Sequence, residues 1–473
     1  MSFPVASSSV ASAPATSTQL PVSQTGGQEI SQTLAPASAC QSAPQSGVRR
    51  GPQSGPTPDN SPGATAGAAA TSSALPASPW RNLALLAASQ AALMTCISLM
   101  LATSALIGKS LATPALASLP LAVQYLGTLF ALYPVARLLV RRNPATVFAG
   151  GALCGAVGFA LAALGIASGS FALFALAGLA IGAFGAVGQY YRFVAADAVA
   201  PELRSTAISL TLSGGLIAAL AGPALARWSR HLLAPEFAAS LGLLAGLALL
   251  AALLARGLRL PAKAAQAQPS AAGTAAPQPL RALLAQRSDL RLAVLAAVIG
   301  YALMNLLMTA TPLAMLCSRL DFAASSTVIQ WHVVAMFLPS FFTGQLIRRW
   351  GAPTVMLAGC AATVASIGVA LGGSTLADFE GALILLGIGW NFLYIGATGY
   401  LVERCPASHR ASLQATNDML VFASVALATF AAAPLVDRHG WAWLNTAALP
   451  VILWLALLLL RQIGRERRMG VAG

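Results

Sequence analysis

The 473-residue chain is 57% apolar and only 8% charged, with a mean hydropathy of +0.73. A soluble globule carries about a quarter charged residues to wet its surface, so 27 Lys/Arg and 13 Asp/Glu exclude one of 48.0 kDa. The net charge of +14 would suit nucleic acid, but the basic residues fall in small groups between long apolar runs. That spacing points to the anionic headgroups of a membrane, and nucleic acid is not an expected partner.

Residues 1–79 are rich in Ser, Ala, Pro, Gln, Thr and Gly and lack a hydrophobic period. Such a segment buries too little apolar surface to offset its ordering entropy, and is expected to be a disordered tail. A secretory signal is not expected, because no basic start precedes an apolar core.

From Asn82 onward, apolar runs recur at the length of about 20 residues that crosses a hydrocarbon core. They predict spans over 82–106, 113–138, 144–167, 170–194, 205–226 and 236–256, then 290–316, 322–347, 352–373, 378–402, 411–432 and 441–461. The fold class is therefore an all-α membrane protein of twelve transmembrane helices. Residues 80–256 form one six-helix bundle and 290–461 a second. The stretch 257–289 carries Pro261, Lys263, Pro269, Pro277 and Pro279, and reads as a cytoplasmic linker. Within it Leu280 to Leu284 is a short amphipathic stretch. Residues 462–473 form a basic tail.

Orientation follows from charge. With the N-terminus inside, 22 of the 27 Lys/Arg fall in cytoplasmic segments; the outer loops hold Lys109, Arg227, Arg230, Arg319 and Arg438. Positive residues accumulate on the inner side. A multi-pass protein of a bacterial inner membrane, with both termini cytoplasmic, is expected.

The two halves repeat weakly. ARLLVRRNPATVFAGG, Ala136 to Gly151, aligns without gaps to GQLIRRWGAPTVMLAG, Gly344 to Gly359. Gln124-Tyr125 with Pro134 parallels Gln330-Trp331 with Pro339. Pro201 with Arg204 parallels Pro406 with Arg410, and Pro223 parallels Pro434. Two similar bundles can rock about a site at their interface near the bilayer midplane.

Over residues 82 to 461 this pattern resembles the major facilitator superfamily. Its signature loop runs Gly, three residues, an acid, Arg, any residue, Gly. Gly344, Arg349 and Gly351 fit, with Arg348 at the acid position. In the first half Arg141 fits, while Ala136, Val140 and Asn143 hold the other places. The stretches MTATPLAM and QWHVVAMFLPSFFTG are similar to a bacterial branch of that family to which flavin importers are related. The resemblance implies alternating-access transport of a small solute, and cavity-lining roles for spans 1, 4, 7 and 10.

Polar side chains inside spans are costly unless paired, so they mark a water-lined path or helix-to-helix glue. Asn391, Tyr394 and Thr398 share one face of span 10, Asn305 and Thr309 lie four apart in span 7, Gln124 and Thr128 share a face of span 2, and Gln90 stands in span 1. Gln90, Gln124, Asn305, Asn391 and Tyr394 are the candidate substrate contacts, with packing as the alternative for each. Asp418 and His332 are candidates for proton coupling, against a pair between Asp418 and a loop arginine such as Arg349, and a packed, hydrogen-bonded histidine. Arg349 and Arg141 are candidates for gating or lipid contact. Arg192 and Asp197 anchor the inner end of span 4 or pair with each other. Tyr190, Tyr191, Trp390 and Tyr394 offer rings for stacking. No Cys lies in a CxxC pair or near a His at metal spacing, so neither metal nor cofactor is expected, and no Ser–His or carboxylate cluster suggests an enzyme. The expected function is secondary transport of a small organic solute by a monomer, with possible coupling to a proton or another ion. The alternatives are an importer of flavins or another aromatic metabolite, and a non-transporting sensor that keeps the fold.

Overall fold

Helix starts are encoded locally. Asn143 accepts from the Ala145 amide at 2.9 Å with Pro144 in the first helical position, and Asp321 accepts from the Ala324 amide at 2.8 Å. Thr375 and Asp378 form a reciprocal capping box. Each satisfies amides that a helix start leaves orphaned.

The computed structural model describes residues 79–200, 203–260, 280–406, 408–468 and 470, all within one compact unit, residues 71–473. Thirteen α-helices run through them: α1 (Pro79–Leu111), α2 (Leu119–Arg141), α3 (Pro144–Ala167), α4 (Phe171–Asp197), α5 (Arg204–Ser229), α6 (Ala238–Arg256), α7 (Leu280–Gln286), α8 (Ser288–Cys317), α9 (Phe322–Phe337), α10 (Ser340–Trp350), α11 (Ala352–Gly372), α12 (Leu376–Arg404) and α13 (Arg410–Arg468). Among the described residues nine helical segments are long and apolar enough to cross a membrane, or ten if α9 and α10 form one bent span. Large apolar side chains such as Phe130, Leu253 and Leu427 stand exposed around the outside, as lipid contact requires.

Several boundaries differ from the sequence expectation. The second span begins at Leu119, because Pro114–Leu116 is a separate 3-10 turn. The eighth is broken: Pro339 has no amide hydrogen to continue the ladder, and α9 and α10 meet at a bend of 42°. The expected division between spans 411–432 and 441–461 is present within α13 as a kink at Gly440, whose φ of 81° and ψ of 173° are not helical. Its second arm continues to Arg468, through most of the stretch expected to be a tail. The amphipathic stretch at Leu280 is helical, as α7. At the α7–α8 junction Arg287 forks onto Asp289 at 2.7 and 3.0 Å and donates to the Arg404 carbonyl at 3.2 Å. The expected tail up to residue 78 and most of the expected linker, 261–279, lie outside the described residues.

The buried apolar residues fall into two main clusters. One is built from α1–α6 with Phe322 and Phe422 added, the other from α7–α13 with Leu101, Ala102, Leu121 and Ala219 added. Where the two groups meet, α2 packs on α13 and α5 on α9.

Glycines set the closest approach inside the first group. A Cβ at Gly182 would fall on the Gln124 carbonyl oxygen, and one at Gly178 would lie 2.8 Å from the Pro120 carbonyl oxygen and 3.0 Å from the Gln124 amide. α4 therefore lies directly on the backbone of α2, and the Thr128 hydroxyl donates to the Gly182 carbonyl at 3.0 Å.

Candidate functional site

A cavity of about 100 Å³ lies between the two groups, with walls from α1, α2, α4 and α5 on one side and α8, α9 and α13 on the other. Its lining is mostly apolar, with four methionines (Met94, Met304, Met308 and Met336) and the rings of Tyr125, Tyr301, Phe337 and Phe422. Methionine side chains are flexible and polarizable, so such a wall adapts to an irregular ligand.

One wall continues into an aromatic cluster. Tyr301 meets Trp390 and Tyr394 edge-on, with centroids 5.2 Å away in each case, and lies 6.4 Å from Phe422. Trp390 and Tyr394 stack at 5.3 Å and 12°. Phe337 approaches Trp390 at 6.4 Å. Edge-to-face and offset pairs of this kind favour a fixed arrangement of rings beyond simple burial.

Polar atoms punctuate the lining. Asn305 is 1% exposed, its Oδ1 accepts from the Thr429 hydroxyl at 3.4 Å, and Tyr125 lies against the same amide. Asn305 Nδ2, Gln124 Oε1 and Ser98 Oγ have no partner although all are buried. Thr128 and Gln189 add to the polar part of the wall.

The other sequence candidates lie elsewhere. Asn391 does not line this cavity; it is fully buried against the break between α9 and α10. Its Nδ2 donates to the Met336 carbonyl and to Ser340 Oγ, both at 2.7 Å. The Thr343 hydroxyl lies 2.7 Å from both Asn391 Oδ1 and the Pro339 carbonyl and shares its proton between them. Asn391 thus takes over a carbonyl that the Pro339 break strips of its helical partner. Gln90 is 6% exposed with Oε1 unpartnered, on the side of α1 that faces Gly188 of α4. Tyr394 belongs to the aromatic cluster behind the lining. His332 is fully buried, and its Nδ1 donates to the Leu383 carbonyl at 2.7 Å, which ties α9 to α12.

Asp418 accepts from the Asn417 amide at 3.3 Å. The cation acting on it is Arg192 of α4, across the group boundary, and not a loop arginine such as Arg349, the alternative to proton coupling. Arg192 also reaches the Tyr394 hydroxyl and lies 4.9 Å from the Phe193 ring. Arg141 is exposed. Arg349 is exposed on a groove beside Glu403 and Arg404, where Glu466 accepts from Tyr400 at 2.6 Å and Arg404 at 3.1 Å. Of the four rings singled out for stacking, Trp390 and Tyr394 join the cluster by the cavity. Tyr190 donates to the Leu132 carbonyl at 3.0 Å, and Tyr191 packs on Phe148 with centroids 4.7 Å apart.

Tyr301, Tyr125, Gln189 and Arg192 were not singled out as site residues. Tyr301 lies one helical turn before Asn305, and Gln189 one turn beyond Gly185, so helical spacing alone placed both on the productive faces.

Hydrogen bonds between the groups gather at one end. Arg227 of α5 donates to Ser326 Oγ at 3.2 Å and to Gln330 Oε1 at 3.1 Å of α9, and Ser326 donates to the Pro223 carbonyl at 3.1 Å. Ser118, before α2, donates to the Phe430 carbonyl at 3.3 Å and accepts from the Ala433 amide at 3.2 Å. Pro434 lacks the hydrogen that would bond Phe430 within α13, so a hydroxyl from the other group fills the gap.

A multi-pass helical bundle with an adaptable cavity between two helix groups is the architecture of a membrane carrier. The sequence profile of the Major Facilitator Superfamily matches residues 83–429, and the chain belongs to that family. It is a membrane transporter, not an enzyme, and its substrate is a small molecule. The chain is 36% identical over 394 residues to the riboflavin transporter RfnT of Brucella anthropi, covering 83% of this chain and 97% of that protein. It is 30% identical over 376 residues to the MFS-type transporter YdeG of Bacillus subtilis, covering 73% and 84%. The solved nucleoside transporter NupG shares the fold, with a TM-score of 0.60 at 16% identity over 81% of this chain and 98% of that one.

Proposed function

We propose that this protein is an alternating-access carrier of a planar heteroaromatic metabolite, with a flavin as the leading substrate. The observation that carries this reading is the wall of the central cavity. Aromatic and methionine side chains line it, together with two residues, Gln124 and Asn305, that carry unpartnered amide atoms. Ligand sites combine such apolar walls with a few placed polar groups. The similarity to a riboflavin transporter over nearly the whole of that protein adds support. The cavity of about 100 Å³ is below the roughly 300 Å³ at which small-molecule sites begin, so a flavin requires the helix groups to separate.

A count of twelve spans follows if α9 and α10 form one span, α13 is divided at Gly440, and α5, with 26 residues, also crosses. Both termini then share one side, which the charge bias makes cytoplasmic. The Arg227 and Ser118 contacts close the outer end. Arg192 acts electrostatically on Asp418 across the group boundary, and Asp418 is the candidate carrier of a coupling proton.

The test is uptake of labelled riboflavin into proteoliposomes that hold the full chain, with and without a pH gradient. Saturable uptake competed by unlabelled flavin is expected. Folded protein that moves no flavin under any gradient overturns the substrate reading.

A further inference from the structure

Three side chains on three helices leave polar atoms unpartnered in the central cavity: Ser98 of α1, Gln124 of α2 and Asn305 of α8. They are 3%, 3% and 1% exposed. Among the described residues fourteen buried side-chain atoms lack a partner, and these three are the ones gathered on the wall of the central cavity, where a ligand can satisfy them.

The chemistry of each is set by its surroundings. Asn305 directs Oδ1 to the Thr429 hydroxyl, which leaves Nδ2, a donor, on the side of the Tyr125 hydroxyl and the cavity, with no close hydrogen bond made. Gly178 and Gly182 hold the Gln124 backbone close against α4, and its side chain presents Oε1, an acceptor, without a partner. The Ser98 hydroxyl can donate or accept. The remaining lining is methionine and aromatic. The matching ligand is a flat apolar ring with one edge carrying an N–H between carbonyls.

We infer that Asn305 and Gln124 read the imide edge of the bound ring. Asn305 Nδ2 donates to one ring carbonyl, Gln124 Oε1 accepts from the imide N–H, and the Ser98 hydroxyl donates to the second carbonyl. This inference rests on the flavin reading above and adds the atoms that select the ring.

The experiment compares riboflavin with its N3-methyl derivative as competitors of labelled riboflavin uptake by the full chain in proteoliposomes. Methylation removes the one donor on that edge and leaves Gln124 Oε1 buried without a partner. The wild-type protein is expected to prefer riboflavin by about tenfold or more. Gln124→Ala is expected to lower that ratio toward one, because the acceptor left stranded by the methyl compound is gone. Asn305→Asp, an acceptor in place of a donor at nearly equal volume, is expected to weaken both ligands.

Riboflavin uptake with equal competition by the N3-methyl compound overturns the inference and leaves the flavin reading standing. A ratio unchanged in folded Gln124→Ala overturns it too. Absence of any riboflavin uptake by folded wild-type protein overturns both. The wild-type comparison needs no variant to fold.

Discussion

Replacing Asn391 with alanine should damage the fold far more than the affinity for substrate. The side chain closes the gap at Pro339 through bonds to Met336, Ser340 and Thr343, each at 2.7 Å. Interhelical hydrogen bonds within membranes are worth about 0.6 kcal/mol each, so three give about 2 kcal/mol. The loss rises to about 4 kcal/mol if the Met336 carbonyl is left buried and unpaired. The bend of 42° between α9 and α10 would lose the clamp that holds it. Reversible unfolding in detergent or bicelles measures the first quantity, and the concentration dependence of uptake measures the second. A stability loss of about 2–4 kcal/mol with KM changed by less than about threefold is expected. Unchanged stability with a KM raised tenfold would refute the reasoning and restore Asn391 to the substrate path.

Three further outcomes are expected. Gly182→Ala places a Cβ on the Gln124 carbonyl and 2.5 Å from the Thr128 amide, which should cost about 1–3 kcal/mol by overpacking; Gly246→Ala, with nothing within 4 Å, should be neutral or slightly stabilising in the same unfolding assay. Arg227→Ala removes the bonds to Ser326 and Gln330, so a cysteine probe near Gly215 in the cavity should react about tenfold faster from the outer side, given about 1.5 kcal/mol for hydrogen bonds to a charged group. Asp418→Asn keeps the shape and removes the charge facing Arg192; it should abolish accumulation driven by a pH gradient while flavin counterflow persists, as paired flux measurements would show.

Much of the architecture was legible because lipid is a demanding solvent. Apolar runs of spanning length announce helices, and α3 and α11 begin and end within a residue of their expected bounds. One break was less legible. Pro339 occurs in a stretch as apolar as its neighbours, and only the backbone geometry shows that it bends a span, whereas Asp437, Arg438 and His439 between the expected spans 411–432 and 441–461 announced the division at Gly440. In the site, Gln124 and Asn305 fall where polar atoms in mid-span suggested, but Asn391 does not. A polar residue at membrane depth has two outlets, a cavity or a broken helix nearby, and a single sequence does not say which partner helix is broken. Tyr301 was missed for the opposite reason: an aromatic ring in an apolar run offers no contrast, although it is the hub of the cluster.

The prolines suggest how such a carrier stays poised. Pro223, Pro339 and Pro434 each lie where a side chain from a packed helix hydrogen-bonds nearby backbone: Ser326 at the Pro223 carbonyl, Asn391 at Met336, and Ser118 at Phe430. The Asn391 contact stays within one helix group and stiffens it. The other two cross between groups and, with the Ala433 amide and the two Arg227 bonds, make five contacts between the groups; in the carrier proposed above they are the latch of one end. At about 0.6 kcal/mol each they sum to about 3 kcal/mol. When the end opens, water can replace them, so the barrier they impose is modest. Moving a two-state equilibrium from one side to the other takes about 5.5 kcal/mol of differential binding. A ligand that satisfies Ser98, Gln124 and Asn305 shifts the equilibrium only by the difference between its affinities for the two states. A latch much stronger than this would trap one state, and one much weaker would leave the cavity open at both ends.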